Sequence, residues 1–100
     1  MNQPAHIRHR LLDSLHSQPA HSAAQGAFAV IDALQHLGSP SAQVIALACA
    51  SRNICAVLGL DLLEMQRIVE RMEQDCRYRH VNTLNAVREY ARGELLKHFP

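Results

Sequence analysis

From Val44 to Leu58 the only clearly polar side chains are Ser51, Arg52 and Asn53. A helix formed there is apolar around most of its circumference rather than along a single stripe. Ser39-Pro40 ahead of it supplies an N-cap and then proline at the first helical position, where the missing N–H costs nothing. Gly59 behind it suits a left-handed cap. Leu60-Asp61-Leu62-Leu63-Glu64-Met65 then offers a hydrophobic staple, an N-cap and a capping-box glutamate in order, so a further helix starts at once. Within the first of these helices Val44, Leu47, Ala48, Cys55 and Leu58 fall along one face, and Ala46 and Ala50 form a small-residue strip on another. The pattern predicts a central helix with separate partners on its two faces.

The rest of the chain reads as helix too. Ile7, Leu11, Leu12 and Leu15 keep helical spacing from about Pro4 to Ser17, so residues 1–21 form either a first helix or a partly flexible arm. After Pro19, the capping-box pattern Ser22-Ala23-Ala24-Gln25 predicts a second helix with Phe28, Ile31, Leu34 and Leu37 on one face, stopped by Gly38. Behind Asp61, the residues Met65, Ile68, Val69, Met72 and Cys76 point inward. The outer face carries acid-before-base pairs, Glu73 to Arg77 and Asp75 to Arg79, worth a few tenths of a kcal/mol each. The stripe falters between Tyr78 and Thr83, where Asn82 can cap a fifth helix carrying Leu84, Val87, Ala91 and Leu95; a single helix over 62–98 is the alternative. No strand-like alternation or hairpin dipeptide occurs. The expected fold is all-α, a compact bundle of four to five helices in one domain over 1–100, with dimerisation expected.

Composition narrows the function more than the fold. Apolar residues make up 48% of the chain, but only Phe28, Tyr78, Tyr90 and Phe99 are aromatic, so the core is aliphatic. A net charge of +1 creates no global field toward nucleic acid or an anionic membrane. Three cysteines without framework spacing and an N-terminus without an apolar leader point to a reduced, cytoplasmic protein. Arg52 and Asn53 interrupt the longest apolar run, so no membrane span is expected.

Four constellations carry candidate chemistry. Ile54-Cys55-Ala56-Val57-Leu58-Gly59-Leu60-Asp61, followed by Met65 and Ile68, resembles the helix-turn-helix family over Ser51 to Glu70. That resemblance implies a DNA-binding transcriptional regulator. The turn that would meet DNA, however, is Asp61-Leu62-Leu63-Glu64, which offers carboxylates where phosphates and base edges call for donors. Cys76 and His80, four residues apart, have the spacing of a nucleophile and base or half a metal site, set against a buried thiol at a helix end. His6, His9 and His16 lack the Cys or Glu partners that would close a zinc site, and Cys49 and Cys55 diverge by about 120° around their helix. Arg77, Tyr78 and Arg79, with Arg88 and Arg92 on the next helix, form a patch suited to an acidic partner, in competition with pairing to Glu73 and Asp75.

No glycine-rich cofactor loop and no catalytic set is visible, so neither catalytic residue, cofactor nor metal is assigned. The expectation is a non-enzymatic regulator or adaptor that binds another protein and itself, an antagonist of a larger regulator being one such role. Its interface is expected to include Val44, Ala46, Leu47, Ala50, Ile54, Leu62 and Leu63, because a single copy has too few elements to cover them.

Overall fold

The computed structural model describes residues 5–97, with side chains from Arg8 onward. The chain is all-α: α1 (Ala5–His16), α2 (Ala20–Leu34), α3 (Pro40–Leu58), α4 (Leu62–Tyr78) and α5 (Thr83–Leu96), with no strand among the described residues. The break between α4 and α5 rules out the alternative of a single helix over 62–98. The expected limits Pro4 and His98 lie outside the described residues.

Helix α2 corrects its predicted start. It begins at Ala20, not after Ser22, with extended Pro19 (φ −69°, ψ 146°) as N-cap and no side-chain capping bond. Proline already presets the turn: its carbonyl accepts from Ala23 N at 3.2 Å, so the first turn closes before Ser22 can cap. The helix also ends at Leu34, short of Gly38. Gln35, His36 and Leu37 continue as a tighter turn of i→i+3 bonds.

The caps of α3 and α4 follow the sequence. Ser39 Oγ accepts from Ala42 N at 3.2 Å, and Asp61 Oδ1 accepts from Leu63 N at 3.0 Å. Gly59 takes the left-handed conformation (φ 71°), letting Leu60 N reach Cys55 O at 2.8 Å and Gly59 N reach Ala56 O at 3.4 Å. The end of α4 repeats this bonding with His80 in glycine's place (φ 56°): Val81 N reaches Cys76 O at 2.9 Å and His80 N reaches Arg77 O at 3.1 Å. Asn82 is the N-cap of α5, but its side chain turns to Asn85 Nδ2 (3.3 Å) rather than to the backbone.

The core lies between α2, α4 and α5. Ala24, Cys76 and Leu84 are buried there, packed by Ala20, Ala23, Phe28, Met72 and Val87. The small side chains on α2 let α5 approach closely, and this pair is the most extensive helix contact in the molecule. Phe28 meets Tyr90 edge to face, centroids 5.1 Å apart, and the Tyr90 hydroxyl donates to Asp32 Oδ1 across the same interface.

Helix α3 is not central, and this is the largest departure from the sequence expectation. It touches the body at Gln43 and Cys55, its two buried residues, with Ala42, Ala46, Ser51 and Leu58 half-buried. Val44, Leu47 and Ala48, expected to share one face with Cys55 and Leu58, are exposed where Cys55 is buried, and Val69 on α4, expected inward, is exposed too. The body is flat, 48 × 37 × 18 Å.

Candidate functional site

The site is the surface that α3 leaves uncovered. Its cap and proline start fix where the helix begins, and the left-handed Gly59 fixes where it stops, so the helix is well defined locally although few neighbours hold it. Asn53, one of its few polar residues, donates from Nδ2 to Cys49 O at 2.8 Å. Its polar head is therefore partly satisfied within the helix.

Of the residues expected at an interface, Val44, Leu47, Ala50, Ile54, Leu62 and Leu63 are exposed and Ala46 is half-buried. The large apolar side chains that α3 leaves exposed range from 43% at Leu47 to 68% at Val44. Two further residues, Ile45 and Val57, are equally bare and absent from that sequence-based set. The signal for Val57 was present in the spacing. Leu47, Ala50, Ile54 and Val57 recur at alternating intervals of three and four, the seam of a helix that packs along another helix. Ala50 sits mid-seam with the smallest side chain, where two helix axes can approach most closely. Leu62 and Leu63 stand beyond the Gly59 corner, in the first turn of α4.

Gln43 lies one interval before Leu47 and would extend the seam, yet it is only 2% exposed and its Nε2 has no partner among the described residues. An unmet buried donor costs about 1–3 kcal/mol. The open seam therefore starts at Leu47, and its N-terminal end is closed by the chain's own body.

The arginine patch is only partly free. Asp75 pairs with Arg79 (3.3 Å), as the spacing predicts. Glu73 does not pair with Arg77 four residues on; it reaches Arg88 on α5 at 3.6 Å, because its half-buried side chain faces the neighbouring helix. Arg92 contacts Glu89 at 3.9 Å. Arg77 has no acidic partner among the described residues. With Arg88 it lines a cleft of about 410 Å³ between the end of α4 and the start of α5, where Cys76 and Leu84 also lie. Tyr78 projects beside it, 86% exposed.

Cys76 is buried and His80, the left-handed cap, is exposed; both line the cleft beside Arg77 and Arg88, with no hydrogen bond between them among the described residues. Cys55 is buried and Cys49 exposed on α3, and all three cysteines are free thiols. His9 and His16 are exposed, the His6 side chain lies outside the described residues, and no group of three metal-ligating side chains converges among the described residues. Among the described residues Tyr90 is the one strongly shifted acid: the hydrogen bond it donates to Asp32, together with desolvation and the negative charges of Asp32 and Glu94, pushes its pKa up to about 12. That bond ties α2 to α5 and is structural.

By length and mean hydropathy α3 falls in the range of a membrane-crossing helix, Arg52 and Asn53 notwithstanding. Spanning would place α2 and α4 on opposite sides of a bilayer, however. Both contribute to one core, through Ala24 and Cys76.

Comparison with family models, curated proteins and solved structures gives no match to this chain.

Proposed function

We infer that this chain is a non-enzymatic protein-binding regulator that works as a helical homodimer joined along α3. The observation that carries the reading is the row of apolar side chains that α3 leaves bare, with Leu47, Ala50, Ile54 and Val57 in one helical seam. Val44, Ile45, Leu47, Ile54 and Val57, between 43% and 68% exposed, are the kind of apolar surface that the core of a protein–protein interface removes from water. A two-fold pairing of one helix with its own copy needs no second gene product and closes without leaving a free end. Arg77, Tyr78, Arg88 and Arg92 remain on other helices, available for an acidic segment of a further protein, with Arg77 the arginine that has no internal partner to give up.

The helix-turn-helix reading retains its corner at Gly59, but the exposed Asp61 and half-buried Glu64 occupy the first turn of α4, where DNA phosphates would approach. Sedimentation velocity across the micromolar range tests the dimer, with a mass near twice the chain expected. A strict monomer at the highest concentration overturns it. Titration against random duplex DNA at low salt tests the other reading, since a DNA-binding domain shows salt-dependent association even on non-specific sequence.

A further inference from the structure

A second concave surface lies away from α3, where the end of α1, the start of α2 and one face of α4 enclose a cleft of about 500 Å³. This is within the roughly 300–1,000 Å³ of small-molecule sites. Its geometry comes from helical periodicity. Ile68, Met72 and Cys76, four residues apart, form an apolar track about 12 Å long on α4. Leu15 and Val81 extend the apolar lining.

Three positions further along at each step, Arg71, Asp75 and Arg79 form a charged track beside the apolar one, and all three line the cleft. Asp75 is engaged by Arg79 at 3.3 Å. Arg71 has no acidic partner among the described residues and is exposed. With two guanidinium groups against one carboxylate, the track carries a net charge of +1. An apolar floor bordered on one side by net positive charge is complementary to an apolar chain ending in an anion.

We propose that this cleft binds a single-chain anionic amphiphile, a fatty-acid-like molecule whose tail lies along Ile68, Met72 and Cys76 and whose carboxylate meets Arg71. The concave shape separates this site from α3, whose convex face offers an alkyl chain contact on one side only. The proposal is independent of the dimer.

The test is calorimetric titration of the intact protein with dodecanoate below its micelle concentration, paired with methyl chemical-shift mapping. Saturable binding is expected, with the largest shifts at Leu15, Ile68, Met72 and Val81. Dodecyltrimethylammonium is expected to bind at least tenfold more weakly, and acetate, which lacks the tail, not at all. Arg71→Gln, at an exposed position that leaves the fold intact, should weaken dodecanoate about tenfold, the loss of one charged contact. Ile68→Trp should block the site by filling it. Equal binding of the cationic amphiphile, no effect of Arg71→Gln, or shifts centred on Val44, Ile45 and Ile54 would overturn the proposal. So would association with phosphatidylglycerol vesicles without binding of free dodecanoate, since that assigns the surface to a bilayer rather than to a single chain.

Discussion

Replacing Ile54 by glutamate puts the α3 reading to its sharpest test, because that reading predicts a large effect on association and almost none on folding. Ile54 is 57% exposed in the single chain. Full burial of an isoleucine side chain contributes about 1.5–3 kcal/mol, so covering what remains bare contributes about 1–2 kcal/mol per copy and about 2–4 kcal/mol for a symmetric pair. At 1.4 kcal/mol per tenfold, losing that contribution weakens the dimer by about 30-fold to several hundred-fold. Desolvating two carboxylates in the seam moves the result further in the same direction. Folding of the single chain should change by no more than about 0.5 kcal/mol, since the position is on the surface and glutamate favours helix at least as well as isoleucine. Sedimentation velocity reads the first quantity, and urea unfolding at a concentration where the wild type is already monomeric reads the second. An unchanged association constant refutes the assignment of the seam. A large loss of stability in the monomer would show instead that Ile54 is covered by its own chain.

The other predictions concern the body that carries α3. Leu84→Ala removes one of the few buried side chains and should cost about 2–4 kcal/mol in chemical unfolding, a large share of the stability of a small domain. His80→Gly should stabilise by about 0.5–1 kcal/mol, because glycine occupies the left-handed region without the steric penalty histidine bears there; a loss of stability would mean that the imidazole makes contacts that outweigh the strain. Tyr90 titrates in the folded chain at about 12, above its ordinary value of 10.0, so the folded state holds the proton more tightly. Its contribution to stability is therefore complete below pH 10 and lost as pH rises from 10 toward 12, and Tyr90→Phe should flatten the pH dependence of unfolding in that window.

Local chemistry made most of the elements legible. Ser39-Pro40, Gly59 and Asp61 mark their helix ends because each acts through its own backbone or through residues within one turn. The start of α2 was misplaced for the same kind of reason: Pro19 and Ser22 both propose a beginning, and the proline, fixed in φ, acts first. The Glu73–Arg77 pair was wrong for a different one. Helical spacing allowed it, but α5 brings Arg88 to Glu73 from the other side, and no pattern within α4 carries that information.

The apolar wealth of α3 shows the boundary most clearly. Hydrophobicity determines that a surface is to be covered, since its cost in water is a property of the side chains alone. It does not determine what covers it. Ala20, Ala23 and Ala24 leave room for α5 to close against α2, and α4 completes that core through Cys76 and Met72. Those three helices satisfy one another and leave α3 attached mainly through its two buried anchors. Which helix became the core and which was left bare was decided by how the small side chains of α2 let backbones approach, a relation between distant segments that exists only once the chain has folded.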